Sequence, residues 1–234
     1  MAHKGTFLLA VISCVATSAG STQARQQPHR DYTASANPHI RLFAHILKDS
    51  VWASPRIFVC WENLAGAYEA QATLVRSVIA NTWEKESRVR FIGWEACAAD
   101  NAGIRIRIDD SGPHTKGLGR YLDRKHDGMV LNFAFRRWSP LCASMREYCI
   151  KGIAVHEFGH ALGFAHEQNR SDTPGECRQL KQGTSGDVLL TPYDPRSVMN
   201  YCNPKYNNDG MLSALDIAAV RELYGEPSDR AGAE

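Results

Sequence analysis

The segment His156-Glu157-Phe158-Gly159-His160-Ala161-Leu162-Gly163-Phe164-Ala165-His166-Glu167 holds residues whose types and spacing could do chemistry. His156 and His160 stand four apart, so a helix sets both imidazoles on one face, a turn from each other. Two such nitrogens can converge on a Zn²⁺ ion at about 2.0–2.1 Å. Glu157, next to the first imidazole, can reach a water at the metal without itself ligating. Gly163 is where the helix can end, because glycine tolerates the left-handed conformation that turns a chain sharply. That turn lets His166 come back as a third ligand. Three protein nitrogens leave a corner for solvent, as in a catalytic site, whereas a structural site is closed by four protein ligands. A helix can carry H-E-x-x-H by accident; the added Gly163 and His166 make a mere cluster of packed histidines a poor reading.

Other residues invite a plainer interpretation. Within Ser197-Val198-Met199-Asn200-Tyr201, residue type alone makes Met199 core filler and Tyr201 a packed aromatic. His3, His29, His39, His45, His114 and His126 lack ligand spacing and read as surface or leader residues. Asp109 and Asp110 open a Ser-Gly-Pro turn, and a solvated turn suits them better than a Ca²⁺ site.

The elements that must position this chemistry follow from periodicity. Arg56 to Trp61 is a β-branched and aromatic run fit for a buried strand. Ala72, Val75, Ile79 and Trp83 recur at helical spacing and predict an amphipathic helix over Glu69 to Trp83. Arg88 to Ile92 and Ile104 to Ile108 read as strands, the second alternating Ile with Arg as a half-buried strand would. Met129 to Phe135 is a further strand and Ile150 to Leu162 a helix. Asn169 to Arg196, rich in Gly, Pro, Thr and Asp, predicts a long loop. Ser213 to Tyr224 closes the order as a helix, with a capping box of Ser213 and Asp216 and a stop at Gly225 and Pro227. The order of elements predicts an α+β domain.

Composition sets the outer limits. At 234 residues, 44% hydrophobic and 22% charged, the chain has room for one core and not comfortably for two. A formal net charge of +2 gives no push towards nucleic acid or an anionic membrane. Residues 1–24 read as a signal peptide: Lys4, then the apolar stretch Phe7 to Ala16, then small residues to Ala24. About ten apolar residues are too few to span a bilayer. Val11-Ile12-Ser13-Cys14 loosely resembles a bacterial lipobox, which would attach lipid at Cys14, but the stretch before it is short. Residues 25–38 form a polar, flexible lead-in, residues 39–226 the folded part, and residues 227–234 a disordered tail. Of seven cysteines Cys14 leaves with the leader, and six in an exported chain imply disulfides with 15 possible pairings. Proximity in sequence favours Cys60 with Cys97, Cys142 with Cys149, and Cys177 with Cys202.

The extended zinc motif followed by a Met-containing turn resembles the metzincin metalloendopeptidases, and most of all the astacins. The likeness rests on residues 150–170 (with HEFGHALGFAHEQNR), 197–201 and 210–225, the last also similar to matrixin C-terminal helices. It implies a metzincin-like fold with a mixed twisted sheet, an active-site helix and a C-terminal helix. His156, His160 and His166 would hold Zn²⁺, and Glu157 would be the catalytic general base and acid. Met199 would form the apolar floor, and Tyr201 a displaceable ligand that helps stabilise the oxyanion. Glu167 corresponds to a residue that in astacins contacts the mature N-terminus; a solvated Glu is the other reading here. The chain departs from astacins in a shorter loop between His166 and Met199, and no cysteine-switch or aspartate-bearing latency motif appears between residues 25 and 60. Arg196 could sit near the S1′ pocket and favour acidic side chains. Thr115–Tyr121 is the candidate edge strand for pairing with an extended substrate.

The expected activity is that of a secreted, monomeric zinc endopeptidase acting on proteins or peptides, without nucleic acid or membrane partners. Two other classes stay open. One is a zinc hydrolase of another substrate, such as peptidoglycan or small peptides; the other is a non-catalytic zinc-containing binding module, against which the intact Glu157 speaks.

Overall fold

The computed structural model describes residues 44–227. The expected leader, the lead-in, the Cys14 lipid site and nearly all of the tail lie outside the described residues. Among the described residues, no helix is long and apolar enough to cross a membrane.

Strand β1 (His45–Ile46) comes first and pairs antiparallel with β7 (Val188–Leu189), far along the chain. The main sheet comprises β2 (Arg56–Trp61), β3 (Arg90–Ala96), β4 (Ile104–Ile108), β5 (His114–Thr115) and β6 (Met129–Leu131). Its order is β3-β2-β4-β6-β5, parallel throughout except for the antiparallel edge strand β5. Helix α1 (Glu69–Ala80) and the short α2 (Trp83–Glu86) lie between β2 and β3. A short α3 (Pro140–Ser144) leads into α4 (Arg146–Ala161), and α5 (Ala214–Tyr224) ends the fold. This is the mixed-sheet α+β arrangement that the sequence predicts.

The core lies between sheet and helices and is rich in large rings. Trp83 is fully buried, donates Nε1–H to the Val155 carbonyl at 2.9 Å and stacks on Phe164 at 5.4 Å. Phe158 of α4 meets Phe91 edge-on at 4.8 Å and Trp94 in a stack at 5.7 Å. Burying a side chain of this size contributes on the order of 2–3 kcal/mol. These contacts press α4 against the sheet, so its polar site residues are held by apolar neighbours.

Several expectations change, each for a local reason. The helix expected over Glu69 to Trp83 ends at Ala80, because Asn81 and Thr82 donate side-chain hydrogen bonds back to the Ser77 and Val78 carbonyls. The strand expected at Arg88 to Ile92 runs instead from Arg90 to Ala96, carried on through a bulge where Gly93 and Trp94 take positive φ. The strand expected over Met129 to Phe135 stops at Leu131, since Asn132 Oδ1 accepts from the amides of Ala134 and Phe135 and turns the chain. The helix expected from Ile150 begins at Arg146, behind α3 and beside the Cys142–Cys149 disulfide. The loop expected over Asn169 to Arg196 contains the short strand β7 and one turn of 3₁₀ helix, Arg178–Leu180.

Arg105 is not on a solvent face: it is 3% exposed and forks onto Glu62 with bonds of 2.6 and 3.1 Å. Asp109 and Asp110 stand at the turn after β4, where Asp110 Oδ1 accepts from Asn132 at 3.2 Å. The capping box of α5 is present, Ser213 and Asp216 bonding reciprocally at 2.9 and 3.0 Å. Disulfides join Cys60 to Cys97, Cys142 to Cys149, and Cys177 to Cys202.

Candidate metal centre

Helix α4 sets His156 and His160 side by side, their ring centroids 4.7 Å apart and the rings nearly perpendicular. The helix ends where glycine permits: Gly163 has φ 101°, and a Cβ there would stand 3.0 Å from Ser50 Oγ. Strand β1 grips the returning chain. Leu47 N–H donates to the Gly163 carbonyl at 3.1 Å, and Ala165 N–H donates to the His45 carbonyl at 2.8 Å. This delivers His166, whose Nε2 lies 3.1 Å from the Nε2 atoms of both His156 and His160.

Which nitrogen faces the centre is decided by the surroundings. Each Nδ1 lies against a backbone carbonyl: His156 at Val198 (2.8 Å), His160 at Phe164 (2.8 Å) and His166 at Gln182 (2.9 Å). A carbonyl can only accept, so each Nδ1 carries the proton and each Nε2 presents a lone pair. Burial holds the imidazoles neutral, pushing His156 down to about 3, His160 well below its ordinary value and His166 down as well. Their mutual proximity adds to the effect at His156 and His160. Three lone pairs converging in a buried place repel each other unless a cation lies among them. Three imidazole nitrogens are a donor set suited to Zn²⁺.

Glu157 fits the same conclusion. It is 3% exposed, its Oε2 has no hydrogen-bond partner, and burial pushes its carboxyl up to about 8. A nearby cation is what would keep such a carboxylate ionised. Met199 is buried beneath the helix, and a Cβ on Gly159 would collide with its Sδ, so the two pack in direct contact. The Tyr201 ring lies on His166 and His156, with centroids 4.5 and 5.2 Å apart, while 40% of the residue stays exposed. Burial and the charge of Glu157 raise the Tyr201 phenol, so it keeps its proton near neutrality.

Two cavities flank the centre and share Pro113, Glu157, Gln182 and Tyr201 as walls. The smaller, about 200 Å³, is bordered by His160, His166 and the edge strand residues His114 and Thr115. The candidate edge strand is thus real at Thr115 but not beyond it, because Gly119–Leu122 is a 3₁₀ turn with Leu122 buried. The larger cavity, about 420 Å³, reaches Trp138, Ile153 and Tyr206. Arg196 is exposed and borders neither.

Three supports of the centre carry no signal of that role in the sequence. His45 is buried, not a surface residue. It accepts from Gly186 N–H at Nε2 (3.0 Å), so its Nδ1 is free to donate to the His166 carbonyl at 2.9 Å. Asp216, read only as a helix cap, also accepts from Ser197 Oγ (2.7 Å) and Val198 N–H (2.9 Å), holding the segment whose carbonyl orients His156. Glu167 is buried rather than solvated: it accepts from Asp194 N–H at 2.9 Å and pairs with buried Arg170 at 3.3 Å. Nothing in a single sequence marks a carbonyl as a ligand's partner. The lone His45 likewise lacks any spacing signal.

In sequence and in the three-histidine arrangement the chain is similar to the astacin zinc peptidases. Residues 141–224 match the family model for the astacin peptidases. The chain is 31% identical over 133 residues to the astacin-like metalloendopeptidase of Gallus gallus, a stretch covering 43% of this chain and 32% of that protein. It is 25% identical over 230 residues to tolloid-like protein 2 of Homo sapiens, covering 82% of this chain and 20% of that protein. The chain thus spans about a third or less of the length of these relatives. In fold it is similar to myroilysin, with a TM-score of 0.54 at 17% identity over 77% of this chain and 98% of that one.

Proposed function

We propose that this chain is an exported zinc endopeptidase in which His156, His160 and His166 bind the metal and Glu157 moves the protons of peptide hydrolysis. The single observation that carries the reading is the convergence of three Nε2 atoms, two pairs of them 3.1 Å apart, each fixed from behind by a carbonyl. Zn²⁺ bound there supplies Lewis acidity that makes water a nucleophile near neutral pH.

The chain's own groups do the rest. Glu157, desolvated and with Oε2 unpartnered, takes the proton of the attacking water and hands it to the leaving amine. The hydroxyl of Tyr201, a residue that lines both cavities, keeps its proton and donates to the oxyanion as it forms. Met199 forms the apolar floor that sets the height of the histidines. An extended peptide pairs with the free edge of β5 and lies along the two cavities. Three disulfides support export to an oxidising compartment.

The test compares the purified wild type with Glu157→Gln on a mixed peptide library, with zinc measured in both. One zinc per chain in each is expected, with cleavage by the variant reduced on the order of 10²–10⁴-fold or more. Equal cleavage by the variant would overturn the role of Glu157. Hydrolysis of peptidoglycan but not of peptides would move the same chemistry to the other substrate class.

A further inference from the structure

The larger cavity has a chemical character of its own. Among the described residues, no Lys or Arg borders it, and its sole charged wall is Glu157. Two of its amides are already committed. Asn200 donates to the Asp194 carbonyl and Tyr193 hydroxyl and accepts from Cys202 N–H. Asn203 donates to the Ser197 carbonyl and Asn208 and accepts from Lys205 N–H. What remains for an incoming group is the faces of Ile153, Trp138, Tyr201 and Tyr206, with the uncharged amides of Gln182 and Asn207 beside them.

Three of these rings are unusually open to solvent: Trp138 at 39%, Tyr201 at 40% and Tyr206 at 39%. Exposed apolar residues scattered singly need no explanation, but a cluster around one cavity marks a binding surface. Tyr206 is also held firmly. It heads a 3₁₀ segment, Tyr206–Gly210, whose Asn207, Asn208 and Asp209 all take left-handed backbone angles. Its ring lies over Gly152 of α4, where an added Cβ would meet it in ordinary van der Waals contact at 3.7 Å. Such a backbone is strained for residues other than glycine and persists only where its surroundings over-determine it.

We propose that this cavity receives a large, uncharged, aromatic or aliphatic substrate side chain next to the scissile bond, and that Tyr206 is the specificity-determining residue. The proposal rests on the peptidase reading and adds the substrate class. An acidic side chain would meet Glu157 as a like charge and find no Lys or Arg to pair with. A basic one would find Glu157 alone as its partner, occupying the group that must move the proton. A charge buried without a partner is strongly disfavoured. At about 420 Å³ the cavity has room for a whole ring.

The experiment is cleavage-site profiling of the zinc-loaded enzyme on a proteome-derived peptide library, for wild type, Tyr206→Arg, Tyr206→Leu and Glu157→Gln. In the wild type, one position flanking the cut should favour Phe, Tyr, Leu and Met over Asp, Glu, Lys and Arg by at least about tenfold. Tyr206→Arg should shift that position towards Asp and Glu by about tenfold. Tyr206→Leu should keep the neutral preference but lose the preference for aromatic over aliphatic. A wild-type profile favouring charged residues at that position, or a profile unmoved in both Tyr206 variants that bind zinc and cleave, would overturn the proposal. Cleavage absent from zinc-loaded wild type, or equal with Glu157→Gln, would instead overturn the peptidase reading beneath it.

Discussion

The two halves of the proposed metal centre are held in different ways. His156 and His160 ride on one regular helix, where a four-residue spacing sets their relation and an apolar core sets the helix. His166 stands on no regular element. Its position is made by a glycine turn, by β1 from the start of the described chain, and by the carbonyl of Gln182 beyond it. Local periodicity thus builds two thirds of the site, and long-range contacts build the third. The helical pair should tolerate damage elsewhere, and the His166 arm should not.

The Cys177–Cys202 bond offers the largest way to break this contrast. It ties the loop after His166 to the residue following Tyr201, across a sequence separation of 25. Replacing both cysteines by serine should cost on the order of 3 kcal/mol. Hydrogen exchange should show residues 166–202 opening first while α4 keeps its protection. Uniform loss of protection in both regions would show that the two halves are one cooperative unit.

His45 gives a smaller and sharper test. Its ring is bonded to the His166 carbonyl and the Gly186 N–H. Outer supports of this kind typically govern about 10–100-fold in metal affinity. His45→Ala should weaken zinc by about tenfold, measured by competition with a chelator, with helix content unchanged in far-UV circular dichroism. An unchanged affinity would mean that the glycine turn suffices to place His166.

The same contrast governs what could be read without coordinates. Helix α4 and its two histidines were legible because their pattern is periodic. The return of His166 was legible through Gly163, whose φ of 101° is the kind of angle that the residue type announces. The capping box at Ser213 was legible for a like reason, but its second use was not. Asp216 bonds Ser197 and Val198 from 19 and 18 residues away, and no spacing encodes that. Arg105 looked solvent-facing because its partner Glu62 lies 43 residues off, just past the end of the neighbouring strand. The cavity walls at Trp138 and Tyr206 were invisible for the same cause: each is an unremarkable aromatic until the fold brings it beside Glu157. Strand ends failed where a side chain such as Asn132 captured backbone amides.

The most direct test is X-ray absorption at the zinc edge on the loaded protein, with wild type beside His166→Ala. One zinc per chain is expected in the wild type, with three imidazole nitrogens at about 2.0–2.1 Å completed by oxygen. In the variant one imidazole should be missing from the first shell. Sulfur in the shell, or the same three imidazoles with residue 166 replaced, would contradict the account.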